Sequence, residues 1–126
     1  MILLTVDEII ILHNKLLNAT GGLPGLRDRG LLESAVFSVN ASFEDVEQYP
    51  TIEEKAARLA YALISNHAFS DGNKRIGVLA MLMTLKLNGA SIQYTQDELI
   101  TLGLNLASGK THYQDTLEWV IAHHKR

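Results

Sequence analysis

Ten consecutive residues, Ile76 to Leu85, carry no charge at all, and shortly before them Ile52 to Ile64 is mostly apolar. The only charges in that earlier stretch are Glu53, Glu54, Lys55 and Arg58. A helix that is apolar around most of its circumference has to lie in the middle of a domain. The two segments therefore predict a central helical pair, and the chain around them an all-α, compact helical bundle. Between them runs a polar turn, His67-Ala68-Phe69-Ser70-Asp71-Gly72-Asn73-Lys74-Arg75. It is rich in groups that handle protons and phosphates.

Asp71-Gly72-Asn73 is turn chemistry, and Asp71 or Asn73 is expected to cap the helix that follows. Lys74 and Arg75 then fall in the first helical turn, where exposed cations oppose the macrodipole at roughly 0.3–1 kcal/mol each. Other predicted helix starts place acid early: Glu53 and Glu54, Asp97 and Glu98, Asp115. The exception makes sense if an anion, most naturally a phosphate, docks on the free backbone N–H groups beside the two cations. A plain capped turn with solvated cations is the simpler alternative. His67 closes the preceding helix and can accept a proton from a hydroxyl at neutral pH. Asp71 alone is a poor metal cage, but Mg²⁺ is commonly held by one carboxylate together with phosphate oxygens and water. Phe69 is expected to anchor the loop in the core.

His67 to Arg75 resembles the signature of the Fic/Doc superfamily, His-x-Phe-x-Asp-(Gly/Ala)-Asn-(Gly/Lys)-Arg. The resemblance extends to Gly21-Gly22-Leu23-Pro24-Gly25 and to Arg27 through Ala35. Short length and Lys74 place the chain nearest the Doc toxins of toxin–antitoxin systems. The resemblance implies that His67 is the catalytic base, Asp71 the Mg²⁺ ligand and a catalytic residue, and Arg75 both catalytic and phosphate-binding. Gly72, Asn73, Lys74 and Arg75 become the nucleotide-binding set, with ATP and Mg²⁺ as the cofactors. It also implies a kinase that phosphorylates a Ser or Thr hydroxyl of an EF-Tu-like translation factor and so blocks translation.

Compared with AMP-transferring Fic enzymes, the chain has Ala68 where Pro is usual, Lys74 where Gly is usual, and Val78 where a second Arg stands. A Lys side chain fills the space over which a diphosphate lies in those enzymes, which favours the kinase. AMP transfer, to which Gly72 is the Fic-like clue, is the alternative; a non-catalytic binding module is the third reading. The inhibitory pattern Ser/Thr-x-x-x-Glu-Gly/Asn of many Fic proteins does not occur. A separate antitoxin, whose disordered tail folds on binding, is the expected restraint.

At 126 residues one domain, 1–126, is expected, burying roughly two-thirds of its unfolded surface. A formal charge of −3 gives no electrostatic footprint for nucleic acid. The absence of cysteine removes disulfides and thiolate metal sites, as suits a reducing cytoplasm. Met1-Ile2-Leu3-Leu4 lacks a signal peptide's basic start, and Ile76–Leu87 is too short to span a bilayer. A cytoplasmic protein without membrane contact is expected.

A first helix should start at the Thr5 cap, with Glu8 completing a capping box, and run to about Asn18. Ile9, Leu12, Leu16, Ile10 and Leu17 form its apolar face; His13 reads as a surface or partly buried structural residue. The Ala19–Arg27 loop, with Gly21, Gly22, Gly25 and Pro24, requires turns with positive φ, and its structural role is favoured over nucleotide contact. A second helix is expected around Leu31–Val39, with Arg27, Asp28 and Arg29 facing either cleft or solvent. Asn40 to Pro50 is either a shortened form of the Fic flap, which aligns a target by strand pairing, or a connector. Thr51 with Glu54, Thr95 with Glu98 and Thr111 with Gln114 read as further capping boxes, and Asn88-Gly89 and Ser108-Gly109 as helix ends. Ser91 to Tyr94 is an extended link and Trp119 a core residue. His123, His124, Lys125 and Arg126 read as cations complementing a helix C-terminus.

Overall fold

A computed structural model describes residues 1–124. Six α-helices account for most of them: α1 Val6–Thr20, α2 Arg29–Phe37, α3 Ile52–Asn66, α4 Asn73–Leu87, α5 Gln96–Ala107 and α6 Tyr113–His123. The fold is all-α apart from a small hairpin, β1 Ser42–Phe43 and β2 Val46–Glu47. Among the described residues no helix is long and apolar enough to cross a membrane.

Helices α3 and α4 are the central pair, with α2 and α6 against α3, α1 against α4, and α5 against both. Their axes come close because Gly77 has no side chain. A Cβ there would lie 2.6 Å from Ile64 Cγ1 and 3.2 Å from the Ala60 carbonyl oxygen. Apolar burial falls into two clusters along this pair. Ile9, Leu32, Leu63, Phe69 and Ile76 centre the one that reaches the polar turn. Ala60, Ile64, Met81, Leu85 and Val120 centre the other, towards α5 and α6.

Capping boxes open three helices, Thr5 with Glu8, Thr51 with Glu54, and Thr95 with Glu98. The starts of α2 and α6 differ from expectation for local reasons. Asp28 caps α2 by accepting from the Leu31 N–H at 3.0 Å, so that helix begins at Arg29. The Thr111 N–H is spent on the Asn105 carbonyl, closing the turn after α5, and α6 starts one residue later than Thr111 would set it. There the His112 N–H donates to Asp115 Oδ2 at 3.0 Å.

Asn40 to Pro50 holds the hairpin, with Ser42 opposite Glu47 and Phe43 opposite Val46. Glu44 (φ 49°) and Asp45 (φ 64°) make the turn, matching the positive-φ pair that two-residue hairpin loops favour. Phe43 is 68 % exposed and Val46 64 %. What ties this hairpin down is Lys55, only 3 % exposed. Its Nζ donates to the Val39 carbonyl at 2.9 Å and to Glu47 Oε1 at 3.1 Å.

The link after α4 donates the Gln93 N–H to the His123 carbonyl, and Ile92 bridges His124. Trp119 is half-buried rather than core, its indole stacked on His123 at 4.1 Å between ring centres. His123 does bond the α6 carbonyl of Trp119, through Nδ1 at 2.7 Å. Lys125 and Arg126 lie outside the described residues.

Candidate active site

The polar turn begins where α3 stops. His67 sits in the left-handed region (φ 50°, ψ 48°), a conformation that a non-glycine residue adopts only when its surroundings hold it there. Arg27 supplies the hold, donating from both Nε and Nη2 to the His67 carbonyl oxygen. The cation also offsets the negative end of the α3 dipole. The His67 ring is exposed and bonds no other described side chain, so both nitrogens are open to a substrate.

The glycine loop runs antiparallel beside the turn. Arg27 and Asp28 N–H groups donate to the Ala68 carbonyl at 2.8 and 3.0 Å, and the Ser70 N–H donates to the Gly25 carbonyl at 3.1 Å. Phe69, 2 % exposed, is buried beneath. The amide of Asn73 is committed to this loop: Oδ1 accepts from the Phe69 N–H at 3.0 Å, and Nδ2 donates to the Phe69 carbonyl at 2.9 Å. What Asn73 offers an anion is therefore its backbone N–H.

Asp71 turns back on itself and on the glycine loop. Oδ1 accepts from the Gly72 N–H at 2.7 Å and Oδ2 from the Leu23 N–H at 3.1 Å. Those two bonds, Leu23 first, hold its carboxyl below the ordinary range, with the Arg75 charge adding to them against a smaller effect of burial. The carboxylate is thus ionised, oriented, and still partly open to solvent. Arg75 spans the gap between the two segments. Nη1 donates to Thr20 Oγ1 at 2.6 Å and to the Gly21 carbonyl at 2.9 Å, while Nη2 faces Asp71 Oδ1 at 3.5 Å. Glycine at 22 (φ +125°) leaves room for this arrangement, because a Cβ would meet Asp71 Oδ2 at 2.6 Å and Arg75 Nη2 at 3.2 Å and displace them.

Neither Asp71 nor Asn73 caps α4, contrary to expectation. The N-cap is Gly72 (φ 77°, ψ 15°), and no side chain serves the helix start. The reason is that both candidate side chains are occupied, one by the Gly72 and Leu23 N–H groups and the other by Phe69. The first intrahelical bond is Ile76 N–H to the Gly72 carbonyl, so the Asn73, Lys74 and Arg75 N–H groups have no partner among the described residues. Lys74 lays its stem across α5 at Gly103, where a Cβ would come within 3.1 Å of Lys74 Cγ. His67, Ser70, Asp71, Lys74 and Arg75 line one cavity of about 350 Å³.

Three open N–H groups, two cations, one ordered carboxylate and an exposed imidazole around a single cavity suit a phosphate-bearing ligand and proton transfer. A Mg²⁺ ion fits the same donor set. Asp71 offers a pre-ionised carboxylate whose oxygens each carry only one short N–H contact, and a phosphate ligand would supply the rest of a coordination sphere.

Residues 3–85 match the family described as Fic/DOC. The chain belongs to the Fic/DOC family. It is 42 % identical over 74 residues to "Toxin Doc" of Mycolicibacterium smegmatis, covering 59 % of this chain and 57 % of that protein. It is 32 % identical over 104 residues to "Protein kinase doc" of Escherichia phage P1, covering 82 % of this chain and 81 % of the relative. The chain thus spans little more than half the length of the first relative and most of the second.

Within this Fic/DOC chain, three parts of the site went unread in the sequence. One is His13, expected as a surface or partly buried structural residue and found 1 % exposed. Its Nε2 lies 2.7 Å from the Asp71 carbonyl oxygen, and its ring stacks on Phe69. Another is Thr20 with Gly21, which hold Arg75. The last is Arg27, solvent-exposed as one of its two expected settings, whose guanidinium also holds the His67 carbonyl. Only His13 left a usable signal: Val6, Ile9, His13 and Leu17 are the buried residues of α1, spaced as one helical stripe.

Proposed function

We propose that this protein is a Doc-type toxin that transfers the γ-phosphate of ATP to a Ser or Thr hydroxyl of an EF-Tu-like translation factor, thereby blocking translation in the cytoplasm. The observation that carries the reading is the opening of α4: the Asn73, Lys74 and Arg75 N–H groups, without partners among the described residues, beside the Lys74 and Arg75 side chains at the cavity that His67 and Asp71 share. Family membership and the names of the two relatives support it.

In this mechanism the open N–H groups, Lys74 and Arg75 bind the nucleotide phosphates and neutralise charge as it develops, the main source of rate in phosphoryl transfer. Asp71 would hold a Mg²⁺ ion, which when bound would supply further charge neutralisation on the phosphates. The target hydroxyl oxygen forms a bond to the γ-phosphorus, the bond from that phosphorus to the β–γ bridging oxygen breaks, and ADP leaves. The hydroxyl proton passes to the ring of His67. Lys74 occupies the trench against Gly103, which favours a nucleotide orientation that presents its γ-phosphate. Gly72 does not favour AMP transfer, because its φ of +77° and its packing against Leu17 and His13 already account for a glycine there.

The partner of a chain without an inhibitory helix motif is an antitoxin whose disordered tail folds on binding; a neighbouring reading frame that relieves growth arrest would identify it. Incubating the protein and translation factor with ATP labelled on the α or the γ phosphate tests the reaction. Transfer of γ label supports the kinase, α label an AMP transferase, and neither label a binding module. His67→Ala should lower transfer by about 10²–10⁴-fold with the melting temperature unchanged.

A further inference from the structure

Three planes meet beneath the turn. The imidazole of His13 lies on the ring of Phe69 with centres 3.7 Å apart and 15° between planes, and its edge points at the peptide joining Asp71 to Gly72. A carbonyl oxygen only accepts, so at 2.7 Å the His13 Nε2 carries the proton. The peptide unit is rigid, and pinning its oxygen inward fixes its N–H on the opposite side. That N–H belongs to Gly72 and donates to Asp71 Oδ1. One imidazole contact therefore sets two features of the cavity, the bearing of the carboxylate and the outward direction of the N–H groups that follow.

The bond matters because of what sits next to it. Glycine tolerates either sign of φ, so the backbone at Gly72 has little intrinsic reason to keep this peptide from flipping. A flipped peptide would turn the Asp71 carbonyl towards the phosphate cavity and withdraw the Gly72 N–H from Oδ1. Leu17 Cδ2 and His13 Nε2 are the atoms that would sit 3.1 and 3.4 Å from a Gly72 Cβ, so both brace the turn from below. We propose that His13 is a positioning residue, holding the Asp71–Gly72 peptide in the one orientation that leaves α4 able to receive phosphate and Asp71 able to receive a cation. This rests on the nucleotide-site reading, and it gives α1 control over a site to which its own charged groups contribute nothing.

Two substitutions separate positioning from core filling. His13→Phe keeps a ring on Phe69 and removes the donor; His13→Gln keeps a donor near the same place and gives up the stack. Mg·ATP binding by calorimetry and the backbone amide resonances of Gly72 to Arg75 are the readouts, beside cooperative melting. His13→Phe should bind Mg·ATP about tenfold or more weakly, the scale seen when a group that orients a ligand-holding residue is lost, and should move the Gly72 amide. His13→Gln should bind within about threefold of the parent. A purely structural role would weaken both alike, and parent-like binding with an unmoved Gly72 amide in His13→Phe would overturn the proposal. Failure of the parent protein to bind Mg·ATP would instead refute the nucleotide reading, and the amide shifts would still decide the peptide's orientation. Should His13→Phe not fold, nitrogen NMR of the parent decides: a protonated Nε2 coupled to the Asp71 carbonyl supports the assignment, and an unprotonated Nε2 ends it.

Discussion

Replacing Gly22 by alanine places a methyl where Asp71 now rests. The added Cβ would lie 2.6 Å from Asp71 Oδ2, 3.2 Å from Arg75 Nη2 and 3.3 Å from Leu17 Cδ2. Real contacts are not that short, and Leu17 is buried, so the partly exposed carboxylate is the group that yields. It then loses the Leu23 N–H. Gly21, next in line, is the control: it also has positive φ (+81°), but its Cβ would meet nothing within 4 Å. Both substitutions impose backbone strain of about 1–3 kcal/mol. With roughly 2.1 cal/mol/K of unfolding entropy per residue, about 0.26 kcal/mol/K for this chain, that strain lowers Tm by about 4–11 °C. The two variants should therefore melt alike and differ at the site. Gly22→Ala should bind Mg·ATP at least about tenfold more weakly than Gly21→Ala, on the scale of a lost orienting contact. Its Asp71 carboxyl, followed by carbon NMR, should titrate closer to the ordinary range, since the N–H that depresses it most is gone. Equal nucleotide affinity and equal Asp71 titration in the two variants would refute the claim that the glycine loop sets that carboxylate.

Other consequences can be measured on stability alone. Burial opposes the His123 charge, yet hydrogen bonds to Glu98 and to the Trp119 carbonyl raise its pKa above the usual value, and the His123 bond, together with two from Thr95, draws Glu98 down to about 2. For the raised His123, the stabilisation is full below its unfolded pKa of 6.5 and fades as pH climbs through the folded value; for Glu98 it is full above 4.5 and fades as pH falls towards 2. The parent should therefore outmelt Glu98→Gln most between about pH 4.5 and 6.5, and a gap that does not vary with pH would remove the ion pair. Lys55→Met strands the Val39 carbonyl and frees Glu47; leaving a buried acceptor unpaired should cost about 1–3 kcal/mol, with faster proteolysis at residues 40–50 in limited digestion. Gly77→Ala, good for an isolated helix, should here destabilise by about 1–3 kcal/mol through overpacking against Ile64, measured by urea unfolding.

What could be read in the sequence was whatever is local. The Thr5, Thr51 and Thr95 capping boxes depend on residues three apart, and all three form. The uncharged run after Arg75 announces a central helix because burial leaves its mark on every face. Long-range pairings leave no such mark. Asp71 has cap chemistry, but a partner 48 residues away claims it first. Lys55 resembles any solvated charge of a helix's first turn until Val39 and Glu47 close over it. His13 reads as a surface or partly buried residue, although its position among Val6, Ile9 and Leu17 puts it on the buried stripe of α1.

Lys74 and Gly103 are matched in size across the α4–α5 contact. The four-carbon stem crosses α5 only because the facing residue has no methyl to obstruct it, with a Cβ there lying 3.1 and 3.4 Å from the stem's Cγ and Cδ. A homologue carrying glycine at 74 loses the need for that vacancy, and natural sequences should then admit alanine or serine at 103. Grafting glycine onto this chain without filling the opposite helix would leave a furrow open to water beside the entrance of α4, so a redesign that removes the Lys74 stem has to change the two positions in the same step.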